Sequence, residues 1–451
     1  ISFFFTSSSS FIFFIFFKLF IVRRVWPLVA RLLKSRRRPV VARAPEVAPE
    51  PFEPDDRVQT VFDCFQAGVR RYGNLRFLGA RARAADGTLG EFVWHTYDEI
   101  NFRVRIFGTG LHLLYKTLHP QRHMLGIHAQ VIILAPNSVE WMVADLACMA
   151  YSLVTVPLQI RNADDLRRAL TVLEPSVIIC SREWTTKVIR LFGQRQLWEQ
   201  HPQLLFLVQM EPLTCKQQVL AQEARIALYD FAFVEEKGRR SGIFKFIPPL
   251  PTYACTMLFR WHSISNLPTP LTINHASLVQ NANALAQAEA LGGQPLFTSK
   301  DRHLSHLPMA YVGERVILIL AMRSGASVAI FQPSQQRLQL FDEMRIVKPT
   351  LLLSIPELFA IPFSTLVRVV ERNWDYWAGS HYKELRHKWR GIPLCTPSRF
   401  WDVLVFNALA NSLGGRLKRV MMLGDSANCS VTLEEQDEGG EEEEVEEEAE
   451  D

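Results

Sequence analysis

The sequence predicts an α/β fold. Its large domain has parallel sheets flanked by helices, with a membrane-anchor helix before it and a disordered acidic tail after it. Three observations lead there. Short apolar runs alternate with helically periodic segments between Phe92 and Val208. The 451-residue chain is 48% hydrophobic, enough for a large core and two or three domain-sized units. Its formal net charge of +4 conceals an uneven distribution, because the first forty residues are rich in Arg and the last twenty are almost all acidic.

Phe3 to Val22 is mostly Phe and Ile, with a Ser run and Lys18, and is long enough to span a bilayer. Arg23, Arg24, Arg31, Lys34, Arg36, Arg37 and Arg38 follow, and such a cluster keeps its side of the membrane cytoplasmic. Residues 1–38 therefore read as a membrane anchor, with the endoplasmic reticulum as one location and the domain facing the cytoplasm. A cleaved signal peptide is the competing reading; no small-residue cleavage site precedes the basic cluster. The first residue is Ile rather than Met, so a non-native start is a third reading. The Arg36–Arg38 cluster suits anionic lipid and is also what any membrane-flanking segment carries. Residues 39–56 are rich in Pro, Ala and Glu and read as a linker.

Val58, Phe62, Phe65 and Val69 recur at helical spacing, with Gly73 as the stop. Phe92 to Tyr97 reads as a strand, and Thr96 with Glu99 forms a capping box for a helix through Leu114. Val131–Leu134 is a strand buried on both faces. Asn137 or Ser138 caps a helix ending near Met149. Val154–Leu158 is a strand, Asp164–Leu173 a helix, and Val177–Cys180 and Leu204–Val208 are further strands.

Cys255 to Leu278 carries most of the chemical information. Thr256–Phe259 is apolar and strand-like, Arg260–Pro270 is polar and turn-rich, and the pattern turns helical from Asn274. Strand, loop and helix in that order place an anion against loop N–H groups and a helix N-terminus. The seven cysteines show no CxxC spacing and read as free core thiols in a reducing compartment. No His/Cys cluster suggests a metal site. Nucleic-acid binding is excluded by the lack of a basic patch with interleaved aromatics within the domain.

This stretch resembles the phosphate loop of the AMP-forming acyl-CoA synthetases, written YTSGTTGxPKGVxLTHxNL. With Pro268 and His275 anchored and no gap, Arg260, Trp261 and His262 fall on the opening Tyr, Thr and Ser. Ser263 falls on the first Gly, Ile264 and Ser265 on the Thr pair, and Asn266 on the second Gly. Thr269 stands at the Lys and Pro270 at the next Gly.

Trp94–Glu99 is similar to the family's W-x-T-Y-x-E opening, and Pro136–Trp141 to its N-x-P-E-W element. Asp301–Val316 and Lys348–Leu358 are similar to further family patterns, and Ala150–Leu158, Trp401–Phe406, Leu413–Leu417 and Val420–Ala427 resemble the long-chain fatty acyl-CoA synthetase branch. The resemblance covers residues 57–432, an AMP-binding-like domain. It stops at the acidic tail, residues 433–451, which reads as disordered. The family's YGxTE motif, ribose-binding Asp, hinge and catalytic-Lys domain are not in this sequence.

The resemblance implies ATP and Mg²⁺ as cofactors and CoA and a fatty acid as substrates, with an acyl-adenylate between them. It assigns nucleotide contacts to Ser263, Ile264, Ser265, Asn266 and Thr269, and the acyl-substrate site to Tyr311, Glu314 and Gly424. No catalytic residue and no metal ligand are assigned. Blander readings stand beside these: His262 as a surface loop residue, His275 as a helix cap or packing residue, Tyr311 as a packed core residue, and Glu314 as a helix-face or ion-pair residue.

Three functional readings follow. The first is a diverged long-chain acyl-CoA-synthetase-like protein, catalytically impaired or inactive, that retains fatty-acid or weak nucleotide binding at a membrane. The second is an active long-chain fatty acid:CoA ligase drawing the absent parts from elsewhere. The third is a non-enzymatic membrane scaffold acting through the domain surface and the acidic tail, whose protein partner the sequence does not name.

Overall fold

A computed structural model of the chain describes residues 58–83, 89–118, 128–160, 162–193, 201, 204–242, 245–261, 268–291, 296–331, 339–354, 413–422 and 429–432. The anchor expected over residues 1–38, the linker and the acidic tail lie outside them. Among the described residues no helix is long and apolar enough to cross a membrane.

The first helix, α1 (Val61–Tyr72), starts in a capping box. Thr60 Oγ1 accepts from Asp63 N, and the Asp63 carboxylate accepts from Thr60 N. Gly73 closes the helix, as its sequence position predicts. A hairpin of β1 (Arg76–Arg83) and β2 (Leu89–Thr96) leads into α2 (Tyr97–Leu118). The capping box expected there is present: Thr96 N donates to Glu99 Oε2 at 2.8 Å, and Glu99 N donates to Thr96 Oγ1 at 3.2 Å.

Strand and helix then alternate. The order is β3 (Gln130–Leu134), α3 (Val139–Ala150), β4 (Val154–Pro157), α4 (Ala163–Leu170), β5 (Pro175–Cys180) and α5 (Arg182–Phe192). Next come β6 (Phe206–Gln209), α6 (Cys215–Glu223), β7 (Leu228–Asp230), α7 (Phe231–Ser241), β8 (Ala254–Trp261), β9 (Pro268–Asn274) and α8 (His275–Leu291). The second half continues with β10 (Arg302–Ser305), α9 (Val312–Ser324), β11 (Ser327–Ile330), α10 (Gln339–Val347), β12 (Leu351–Ser354), β13 (Arg419–Met422) and β14 (Cys429–Thr432).

Two sheets result. One runs β7-β6-β5-β3-β4-β8-β9, and the other β14-β13-β12-β10-β11-β1-β2. Their interiors are parallel, as the alternation predicts. Three edge strands depart from that expectation: β9, β2 and β14 are antiparallel to their neighbours. Each is joined to its partner by a hairpin rather than a crossover helix, so the sheets are mixed.

Side-chain alternation builds the core. Val131 and Ile133 point to one side of β3 and join Val328 and Leu351 of the other sheet in a single apolar cluster with Phe65, Trp141, Leu278 and Ile319. Ile132 and Leu134 point the other way, against Leu166, Trp184 and Val188 of α4 and α5. Leu304, Ala329 and Leu352 face Leu340, Phe341 and Met344 of α10. Helices α1, α3, α8 and α9 are thus shared between the two sheets. At the centre, Arg315 Nη2 donates to both Asp145 oxygens, at 2.7 and 2.9 Å, and both residues are buried. Four of the cysteines expected to be core thiols, Cys64, Cys148, Cys180 and Cys255, are free and buried, whereas Cys215 is exposed.

Candidate nucleotide and acyl site

The hairpin of β8 and β9 corrects the expected strand–loop–helix. Arg260 and Trp261 still belong to β8, and Pro268 to Pro270 already belong to β9, paired antiparallel as Arg260↔Thr269 and Phe259↔Pro270. The turn-rich stretch is therefore strand at both ends. Its tip, with His262, Ser263, Ile264, Ser265 and Asn266, lies outside the described residues, as does Gly424.

The seven residues of β9 separate the tip from α8. At ~3.3 Å per residue β9 sets the end of the hairpin roughly 20 Å from the N-terminus of α8. That N-terminus is satisfied internally, with Asn274 Oδ1 accepting from Ser277 N at 2.7 Å. Thr269 is exposed on β9 and brings a hydroxyl where the resemblance has a cation.

His275 follows β9 and is fully buried, and neither ring nitrogen has a hydrogen-bond partner among the described residues. Burial pushes it down to about 4, so the ring is neutral at pH 7. It packs the helix and does not reach solvent.

The acyl-side residues come from the β10–α9 connection. Tyr311 is 40% exposed at the cap position of α9, which corrects the packed-core reading. Glu314, three residues on, is fully buried. Its Oε1 lies 2.9 Å from His303 Nε2, and Oε2 has no hydrogen-bond partner among the described residues. Tyr311 is thus exposed whereas Glu314 is spent on a buried contact with His303.

The neighbouring polar groups gather where β10 and β12 end. His306 Nε2 lies 3.3 Å from Ser354 Oγ, and His303 Nδ1 lies 3.4 Å from the Leu351 carbonyl. Burial pushes His306 down to about 4, against a smaller upward pull from Glu314. Ser305 Oγ is buried without a partner among the described residues. In open α/β sheets, ligands bind beyond the carboxyl ends of the strands, which is where Ser305 and Ser354 stand.

Asn137 ties this corner to the other sheet. Its Nδ2 donates to the Leu307 carbonyl at 2.7 Å, and its Oδ1 accepts from Met309 N at 3.0 Å. Ser138 takes the capping role instead, accepting from Trp141 N at 3.0 Å. The carboxyl end of β3 and the connection after β10 thus share one wall.

Sequence patterns alone did not mark His303, Ser354 or the Asp145–Arg315 pair. An acid within the apolar run of α3, VEWMVADLACMA, was the available signal for Asp145. Among the described residues no group of His, Cys, Asp and Glu could hold a metal ion.

Comparison with known proteins gives these features a setting. The family model for AMP-binding enzymes matches residues 66–231. A peroxisomal long chain acyl-CoA synthetase 7 of Arabidopsis thaliana is 27% identical over 384 residues, covering 83% of this chain and 50% of the relative. The long-chain-fatty-acid–CoA ligase 6 of Rattus norvegicus is 23% identical over 379 residues, covering 84% of this chain and 51% of the relative. The chain thus spans about half the length of the curated relatives it matches.

Two solved structures share the fold. The A domain of a carboxylic acid reductase from Segniliparus rugosus, solved with AMP and a co-purified carboxylic acid, superposes with a TM-score of 0.58 at 16% identity. That match covers 82% of this chain and 58% of the other. An anthranilate CoA ligase solved with anthranoyl-AMP gives 0.52 at 14% identity, covering 67% and 50%.

Proposed function

We propose that this chain, which carries an AMP-binding domain similar to that of the long-chain acyl-CoA synthetases, is a diverged synthetase-like protein that binds a fatty acid or acyl-adenylate and holds ATP too weakly for efficient adenylation. The β8–β9 hairpin carries the reading. Thr269 stands where the resemblance has Lys, and Pro270, which has no N–H, stands where it has Gly. A charge-assisted hydrogen bond contributes ~1.5–3 kcal/mol, so its loss weakens phosphate binding by about one to two decades. A larger effect is expected on adenylation itself, where charge stabilisation is the main contribution.

The names of the relatives supply the substrate class, a long-chain fatty acid and CoA. ATP use follows from the AMP-binding match, and Mg²⁺ comes with the nucleotide. In this reading the exposed Tyr311 borders the acyl site. Asn137, His303 and Glu314 position the connection that carries it. Residues 1–38 tether the protein to a membrane.

Titration calorimetry of the natural chain and of the Thr269→Lys, Pro270→Gly double variant with Mg²⁺-ATP tests this reading. The double variant is expected to bind ATP about ten- to a hundredfold more tightly, the factor that one restored charge-assisted bond gives. Equal affinity of the two proteins, or pyrophosphate exchange by the natural chain with hexadecanoate, would overturn impairment and favour the active ligase.

A further inference from the structure

The edge of the β10–β13 sheet opposite the candidate site is cationic. Strands β13, β12, β10 and β1 all begin there, at Arg419, Leu351, Arg302 and Arg76. Arg416 and Lys418 precede β13, and Lys348 precedes β12. Arg76, Lys348, Arg416 and Lys418 are exposed.

Two of these charges have a local partner on this edge. Lys418 Nζ lies 3.4 Å from Asp301. Arg302 Nη1 donates to the Val347 carbonyl at 2.6 Å and so caps the C-terminus of α10. No carboxylate is paired with Arg76, Lys348 or Arg416 among the described residues. The guanidiniums crowd one another: Arg302 and Arg76 both lie against the Trp94 ring, at 5.0 and 6.0 Å. Burial and the fields of Arg76 and Arg416 together lower the pKa of Arg302.

The course of the chain brings a polyanion to this edge. β14 runs antiparallel to β13, with Thr432 opposite Arg419, so the chain leaves β14 where β13 begins. Residues 433–451 come next. Thirteen of these nineteen residues are Glu or Asp, and none is Lys or Arg. From β13 across β12, β10 and β11 to β1 is four strand spacings, roughly 19 Å. About six extended residues at ~3.3 Å each cover that distance, so the segment is long enough to follow the whole row.

We propose that residues 433–451 dock in cis along this edge, pairing their carboxylates with Arg76, Lys348 and Arg416. An anionic membrane is the competing partner for the same charges, and the geometry favours the tail because β14 delivers it there. The contact is electrostatic and solvent-exposed, so salt weakens it.

The test is limited digestion of the full chain by a glutamate-specific protease, following loss of the tail. The natural chain is compared with Arg76→Gln, Lys348→Gln, Arg416→Gln at low and high salt. Each rate is divided by that of a free peptide of sequence 433–451, which removes the effect of salt on the protease. The expected result is slow cleavage of the natural chain at low salt, about tenfold faster in the variant or at high salt, the factor that ~1.4 kcal/mol of exposed pairing gives.

These three side chains are exposed, and circular dichroism verifies the fold of the variant. The salt series on the natural chain tests docking without any substitution. Equal normalised rates in both proteins at both salts would overturn the proposal. It would equally fail if the rates were equal and only binding to vesicles containing phosphatidylserine were lost in the variant, because the edge would then serve a membrane.

Discussion

His275 illustrates what burial does to a single titratable side chain. It sits in the core with no hydrogen-bond partner on either ring nitrogen among the described residues, and burial pushes its pKa from the ordinary 6.5 down to about 4. Between those values the unfolded chain binds the proton and the folded chain does not. Stability from this residue is therefore fully present above pH 6.5 and is lost as pH falls towards 4. From pH 7 to 4.5 the loss is about 2 kcal/mol.

His275→Gln removes the titration. Its unfolding free energy should then fall about 2 kcal/mol less than that of the natural chain over the same interval, as urea unfolding at the two pH values would measure. Parallel losses in the two proteins would mean that His275 is protonated in the fold. The family match made His275 legible as a residue that packs or caps its helix. Its unpaired state was not legible, because it depends on what surrounds the ring after folding.

At the scale of the element, local signals located several helix starts. The boxes at Thr60–Asp63 and Thr96–Glu99 are readable from four residues, because capping is a local hydrogen-bond exchange. The hairpin of β8 and β9 was not legible, since Pro268 and Pro270 look like turn residues until an edge position gives them an exposed side.

Helix packing is equally non-local. In α2 and α7, Gly110 and Gly238 meet so closely that a Cβ on Gly238 would press on the Ile106 carbonyl, and one on Gly110 on the Val234 carbonyl. Those contacts are with backbone, which cannot swing aside. Gly238→Ala should therefore separate the helices and cost about 1–3 kcal/mol as overpacking. Thermal unfolding would show a fall in Tm of several degrees, whereas helix propensity alone predicts a gain from Ala. An unchanged or raised Tm would mean that the helices slide without penalty.

The whole molecule is held together where its two sheets share helices. Asp145 belongs to α3, which follows β3 of one sheet; Arg315 belongs to α9, which follows β10 of the other. Their pair lies in the core both sheets use, with the Arg315 guanidinium 5.7 Å from the Trp141 ring centroid. Removing one partner strands a buried charge, so Arg315→Leu should cost ~3–5 kcal/mol in urea unfolding. Adding Asp145→Leu should recover most of that, since an apolar pair avoids the desolvation of both ions. A double variant as unstable as the single one would show that the pair's geometry, and not its uncompensated charge, joins the halves.

The amino-acid sequence alone determined the alternation of strand and helix, the caps, the family resemblance and the polarity of the two ends. Each of these is written in neighbouring residues or in fixed motifs, so reading them needs no long-range contact. Only the tertiary structure decided that β9 lies between the end of the β8–β9 hairpin and α8 and that Tyr311 faces solvent while Glu314 meets His303. It also decided that Asn137 spans to the Leu307–Met309 connection and that β14 ends beside the start of β13. These features depend on strand order and register between residues distant in the chain, and local sequence does not encode them.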